Sequence, residues 1–336
     1  MALRPWLTAL ALGAALAAGA CGSDGGDATE ARRATLLRRA TLLLDFQPNA
    51  VHAGIYTALA KDYDGAENVA LDVRVPGDST DSVKLLVAGR TDLAILDIHD
   101  LAIARERGRD LVGVMALVER PLAALLAQPQ IRTPRDLEGE RVGVTGLPSD
   151  EAVARSIVAG AGGDPDRLRL ITIGFEAVRS LLTSRVAGAT AFWNVEGVAL
   201  RAQRPKMREF RVDDYGAPAY PELVVTVTRK TLRDRAELVR DTVGALVRGY
   251  GAVIADPEAG LDALLARTDG LERGVLKREL GAVLPAFKGG ADGVGELDPA
   301  RLRAWARWDQ RFGIVKRAPH VGRAFDGSFV PSGGGG

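Results

Sequence analysis

Apolar and polar positions follow two rhythms along this chain, and the switch between them repeats. The stretch "ATLLLDF" (residues 40–46) is a short apolar run of the kind that forms a strand buried on both faces. It is followed by "HAGIYTALAKDY", whose apolar residues recur at helical spacing. "VALDVRVP" predicts a second strand, "DSVKLLVAGR" an amphipathic helix ending at Gly89, "TDLAILD" a third strand and "DLAIARERG" a helix closed by Gly108. "LVGVMALVERPLAALLAQ" then reads as two consecutive strands broken at Pro121. The pattern restarts with "TPRDLEGERVGVTG", a helical turn, a tight turn at Gly139 and a strand. "SDEAVARSIVAGAGG" is a helix opened by Ser149 and Asp150. "LRLITIG", "FEAVRSLLTSRV" and "ATAFWN" predict strand, helix and strand, and a loop rich in Pro and Gly leads to a further strand in "PELVVTVTRKTL". From Arg235 onward the spacing is helical, and "GSFVPSGGGG" reads as a flexible end.

Repeating strand and helix units with glycines after the helices predict an α/β chain built on mostly parallel sheets. Two such blocks, joined around Val118–Ala127, predict two α/β lobes with a cleft between them. Periodicity alone leaves a hinged receptor and a two-domain enzyme equally open.

Composition narrows this. The chain has 336 residues, room for two domains of ordinary size, and its 47% apolar content suffices for sizeable cores. A net charge of +1 with scattered basic residues, 7 Lys and 37 Arg, gives no nucleic-acid footprint. The arginine excess reads as a base-composition bias of the genome.

The single cysteine, Cys21, follows "MALRPWLTALALGAALAAGA". One basic residue, an apolar stretch too short to span a bilayer and small residues before the cysteine describe a secretory signal. "LAAGAC" resembles the bacterial lipobox, with Ala18 where Leu is usual, which makes Cys21 a lipidation site and residues 1–21 a signal peptide. An ordinary cleaved signal with an unpaired cysteine is the alternative. Residues 22–40, polar and Gly-rich at their start, then form a flexible tether. The protein is expected to be exported and anchored to the outer face of the cytoplasmic membrane.

The stretch "LLLDFQPNAVHAGIYTALA", with "VAGRTDLAILDIHDLAIARERG", "IRTPRDLEGERVGV", "AFWNVEGVAL" and "YPELVVTVTRKTL", resembles the NMT1/THI5-like (SsuA/THI5) group of type II periplasmic substrate-binding proteins. The resemblance spans roughly residues 41–331 and implies a two-lobe fold with a hinge and an interlobe cleft. It implies lobe one at 41–120, lobe two at 121–224, a return to lobe one with C-terminal helices at 225–318, and a tail at 319–336. Members of the group deliver thiamine-pyrimidine precursors, riboflavin-like compounds or other small molecules to an ABC permease. Phe46 stands where the group has Trp. The group also has an enzyme branch that makes the thiamine pyrimidine from pyridoxal phosphate. His99 matches that branch's reactive histidine, but Ile95 stands in place of its lysine and its cysteine cluster is missing. Ile95 cannot form a Schiff base, so no enzyme activity and no cofactor are expected.

Candidate ligand residues follow from strand ends, where an open α/β sheet presents its ligand edge. Phe46 can stack on a planar ring or close the core edge. Asn49 can donate and accept at a heterocycle edge, or simply hold the turn after Pro48. His52 faces the same loop. Asp97 and His99 follow the third strand and share a face if it extends that far, whereas Asp100 suits a helix cap. Arg120 lies where the chain passes between lobes. Trp193, Asn194 and Glu196 follow a lobe-two strand, with Trp193 expected to close over the ring held by Phe46. Tyr220 lies on the returning connection. Trp305 and Trp308 read as one packed helix face. With three histidines and no ligand-spaced cluster, no metal site is expected.

These residues predict a solute-binding lipoprotein that carries a flat, amino-bearing heterocycle of the thiamine-pyrimidine type to ABC permease subunits. The alternatives are a receptor for riboflavin or an alkanesulfonate and, further off, a pyrimidine-synthase-like enzyme.

Overall fold

A computed structural model describes residues 37–77, 82–288 and 293–331. The expected signal peptide and Cys21 lie outside the described residues. Strand β1 (Arg38–Leu43) begins three residues before Thr41, so the end of the expected tether is the first edge of the fold.

The apolar runs become two five-stranded sheets. β1 pairs in parallel with β2 (Val69–Arg74) and β3 (Leu93–Asp97). The following strands are β4 (Leu111–Ala116), β5 (Ala123–Ala127), β6 (Arg141–Val144), β7 (Arg169–Thr172), β8 (Gly188–Phe192), β9 (Arg208–Arg211) and β10 (Leu223–Thr228). Sheet one has the order β2-β1-β3-β10-β4 and sheet two the order β7-β6-β8-β5-β9. The two orders are the same, with one reversed strand in each. β10 lies antiparallel between β3 and β4, and β5 antiparallel between β8 and β9. Each reversed strand is the one the chain lays down on arriving from the other sheet. Sheets expected to be mostly parallel are therefore mixed.

Helices α1 (Ala53–Ala60), α2 (Ser82–Val87), α3 (Ile98–Glu106), α4 (Pro148–Gly160), α5 (Ala177–Leu182) and α6 (Glu196–Gln203) follow strands or strand-end turns, as in a doubly wound fold. After β10 come α7 (Arg229–Asp234), α8 (Ala236–Ala255), α9 (Pro257–Leu265), α10 (Arg273–Val283) and α11 (Pro299–Arg311). Helix α6 and strand β9 fall in stretches that the apolar pattern leaves as loop. "EGVALRAQ" and "REFR" are charged, and α6 buries only Gly197, Val198 and Leu200. Ser149 and Asp150 do not cap α4; Leu147 occupies that position, and both residues lie in the first turn behind Pro148.

Helix α8 sets α1, and through it the loop after β1. A methyl at Gly249 would strike the Gly54 carbonyl oxygen at 2.1 Å, and one at Gly54 would strike the Tyr250 ring at 2.3 Å, so the helices cross at backbone contact. The buried Tyr250 hydroxyl donates to Val51 O at 2.8 Å. The C-terminal stretch is not a loose end: Phe325 bridges to Gly113, and Phe325 and Phe329 are buried against lobe one. Among the described residues no helix is long and apolar enough to cross a membrane.

Candidate functional site

Two connections carry the chain between lobes, 117–122 and 212–222, and a cleft opens beside them. It holds a cavity of about 120 Å³ walled by both lobes.

The loop after β1 forms one corner. The Asn49 side chain caps a short 3-10 turn by accepting from Val51 N at 2.9 Å, and its amide donates to Gln47 O at 3.0 Å. The Asn49 N–H donates to His52 Nδ1 at 3.2 Å, which leaves the proton on Nε2 for Asp45 Oδ1 at 2.9 Å. His52 is fully buried and holds the loop from behind, so Asp45 and Phe46 reach the cavity and His52 does not. Asn49 lines the cavity with its first hydrogen bonds already committed to the turn.

Strand β3 ends at Asp97, which caps α3 by accepting from His99 N at 2.7 Å. The role expected for Asp100 belongs to Asp97. Because the helix starts at Ile98, side chains turn by about 100° per residue rather than alternating. Asp97 and Asp100 therefore line the cavity, and His99 points away. Its Nδ1 meets Asp309 Oδ1 at 2.7 Å and its Nε2 meets the Tyr220 hydroxyl at 3.1 Å, with Trp305 and Trp308 packed around the ring. Burial alone would lower the His99 pKa, but Asp309, Asp97 and Glu222 raise it to about 10. Tyr220, also fully buried, belongs to this network rather than to the cavity wall. Asp97, His99 and Glu222 bring metal-ligand atoms within 4.8 Å of one another. As the structure stands, His99 Nδ1 is held by Asp309 and its Nε2 faces Tyr220.

Lobe two supplies the opposite wall. Along the end of β8 the residues alternate: Phe192 and Asn194 line the cavity, and Trp193 between them faces the other way. Trp193 is 1% exposed, donates from Nε1 to Pro121 O at 2.9 Å and lies under the Arg211 guanidinium at 4.1 Å. It packs the root of the interlobe connection. Arg120 pairs with Asp213 and also sits over Trp193, outside the cavity wall. The aromatic facing Phe46 is Phe175, edge to face with ring centroids 4.8 Å apart. That spacing leaves no room for a ring between them.

Thr145, Asp150, Thr190 and Glu196 complete this side. Burial pushes Glu196 up to about 7, although it accepts from Phe192 N at 3.2 Å. Burial, then the Asp150 charge, pushes Asp100 up to about 6. Burial likewise raises Asp97 and Asp150. Asn194 is fully buried, and neither its Oδ1 nor its Nδ2 has a hydrogen-bond partner. Orphaned buried amides are rare, and this one is directed at a cavity. Among the described residues the lining carries five carboxylates (Asp45, Asp97, Asp100, Asp150 and Glu196) and no lysine or arginine.

Of the residues expected from the sequence, Phe46, Asn49, Asp97, Asn194 and Glu196 meet at the cavity, and His52, His99, Arg120, Trp193 and Tyr220 stand behind it. Sequence reasoning passed over Thr145, Phe175 and Thr190, and noticed Asp45 at the strand end without making it a ligand candidate. The strand-end position of Thr145 was a usable signal; nothing local marks Phe175.

The NMT1/THI5 like family model matches residues 49–260. A formylaminopyrimidine-binding protein of Halalkalibacterium halodurans is 31% identical over 230 residues, covering 68% of this chain and 70% of that protein. The riboflavin-binding protein RibY of Chloroflexus aurantiacus is 25% identical over 86% of this chain and 85% of its own. The periplasmic aliphatic sulphonate binding protein SsuA of Escherichia coli superposes with a TM-score of 0.69 at 14% identity, covering 88% of this chain and 94% of that one, a likeness of fold.

Proposed function

The chain belongs to the NMT1/THI5-like family, and from that premise we propose that it is an extracytoplasmic solute-binding protein of an ABC importer. It binds a small, planar, amino-bearing heterocycle of the formylaminopyrimidine or thiamine-pyrimidine class in the interlobe cleft and delivers it to permease subunits. The protein is exported, and Cys21 carries the lipid that anchors it.

The observation that carries the ligand class is the cavity wall. The Asn194 amide lacks both its partners inside a wall of carboxylates. A ring with exocyclic amine and ring nitrogens supplies donors for the acids and a donor and acceptor for the amide. A buried amide with no partner in the protein makes ligands that lack those groups costly. The same wall disfavours the sulfonate alternative, because an anion placed among these carboxylates meets like charge and no guanidinium. Binding without chemistry is supported by Ile95, which lines the cavity where the enzyme branch has its lysine, and by His99, which does not reach it. Phe46 and Phe175 act as a gate, and closure puts ligand contacts on both lobes.

The test is calorimetric titration of the purified protein with a formylaminopyrimidine, an aminopyrimidine, riboflavin and an alkanesulfonate. Micromolar or tighter binding of a pyrimidine, reduced at least about tenfold in Asn194→Ala, is the expected result. Binding of the sulfonate alone would overturn the ligand class and leave the receptor standing.

A further inference from the structure

Asp100 and Asp150 line the same cavity, but they belong to different lobes. Asp100 sits in the first turn of α3, after sheet one, and Asp150 in the first turn of α4, after sheet two. They are close enough for Ser149, the neighbour of Asp150, to reach Asp100 Oδ1 at 3.5 Å across the cleft. Asp150 is anchored from its own side by Thr145, whose N–H donates to Oδ2 at 2.8 Å. The Asp150 charge acts on Asp100, and two more acids of the same wall feel their charge, Asp97 that of Asp100 and Glu196 that of Asp150. Ser149 donates to Asp100, Thr145 donates to Asp150, and Thr190 adds to the hold on Asp150. The cations that act are His99, already bonded to Asp309, and Arg107 just past the end of α3. Neither His99 nor Arg107 lines the cavity between the two carboxyls. Asn194, fully buried with both amide atoms unpartnered, opens onto this same space.

We propose that Asp100 and Asp150 are a carboxylate pair divided between the lobes, which lets the lobes stay closed only when a positive charge lies between them. In the working protein that charge is the protonated amine or amidine of the ligand. Two carboxylates brought together in a poorly hydrated cleft repel unless a proton or a cation is shared. The pair thus couples closure to the charge of what is bound, so a ligand of the right shape but without the cationic group fills the site without holding it shut. This rests on the reading of the cleft as a ligand site that closes, and it fixes the charge of the group that the ligand turns toward α3 and α4.

Two measurements test it, and the first needs no ligand. Small-angle X-ray scattering of the ligand-free protein is expected to show a compact form at about pH 5 that opens by about pH 8, as the shared proton leaves. Asp100→Asn/Asp150→Asn is expected to stay compact at both values. The second compares an aminopyrimidine with the ring-matched pyrimidine that keeps the ring nitrogens and lacks the amine. The wild type is expected to favour the amine by about 30-fold or more, and the double variant to lose at least about tenfold of that preference. The single Asp100→Asn variant serves should the double variant melt early. Scattering that ignores pH in the wild type, or an amine preference unchanged by the substitutions, would overturn the pair. Closure driven by Ca²⁺ or Mg²⁺ alone would overturn the organic cation. If no pyrimidine binds while the pH-dependent opening disappears in the double variant, the ligand class fails and the pair stands.

Discussion

Two buried polar clusters lie back to back in this protein, and they differ in whether their polar groups face a cavity. Around His99 the imidazole has a partner on each nitrogen, and Glu222 Oε2 accepts from Leu122 N at 2.6 Å and Ala123 N at 2.9 Å, while Glu222 Oε1, Asp309 Oδ2 and Trp308 Nε1 are buried without a hydrogen-bond partner. These bonds tie α3, α11 and both interlobe connections together. Around the cavity, Asn194 has no partner and five carboxyls share a wall in which, among the described residues, no lysine or arginine stands. Both clusters are rich in residues that a sequence reader selects for chemistry. The His99 cluster bonds protein elements to one another and does not reach the cavity, so it is architecture; Asn194 and the carboxyls beside it face the cavity, so they form a site.

The largest way to break this contrast is to remove an architectural member. His99→Ala is expected to cost about 3–5 kcal/mol by leaving Asp309 and Glu222 without their cation. Trp193→Ala is expected to cost a similar amount through the cavity it leaves. Urea midpoints measure both. A Trp193→Ala protein of unchanged midpoint that no longer binds ligand would return Trp193 to the site. Next, Glu196→Gln is expected to lower ligand affinity by about 10- to 100-fold, with a midpoint equal to or above the wild type, since it removes a buried charge. Calorimetry and denaturation on one sample decide between site and architecture.

A third prediction uses pH to separate the clusters. The His99 pKa rises from 6.5 to about 10 on folding, so its stabilisation is complete below about pH 6.5 and is lost as pH rises through 10. The raised carboxyls of the cavity also bind their proton more tightly when folded. Glu196, moved from 4.5 to about 7, therefore loses stability across that lower window as pH rises. Midpoints measured from pH 4 to 10 should fall in two stages; Glu196→Gln should flatten the first, and Asp309→Asn the second. The smallest effect is expected from Phe175→Ala. Phe175 is 41% exposed, so the loss should be only about two- to fivefold, mainly in ligand dissociation rate by stopped flow.

Much of the fold was legible because strands buried on both faces read as plain apolar runs, as in β3 and β4. What the pattern concealed was charged: "REFR" gives no apolar signal yet forms the edge strand β9. At the site, half was legible. Strand ends pointed to Phe46, Asp97 and Asn194, but aromaticity drew attention to Trp193 when alternation along "AFWN" already sent Phe192 and Asn194 one way and Trp193 the other. His99 was misjudged because the strand stops at Asp97, two residues short of what the alternation needed. Phe175 sits in a turn, and its meeting with Phe46 depends on how the lobes face each other, which no local pattern records.

The matching strand orders have a consequence for synthesis. In sheet one, β4 pairs along its length with β10, and β3 has β10 as its second neighbour. The first 116 residues therefore emerge with a gap at the place where residues 223–228 will later insert. Sheet one cannot be completed until sheet two has been traversed, whereas all five strands of sheet two lie within residues 123–211 and can pair first. A chain cut between residues 211 and 223 would therefore keep every strand of sheet two and lack β10, the strand that joins β3 to β4 in sheet one.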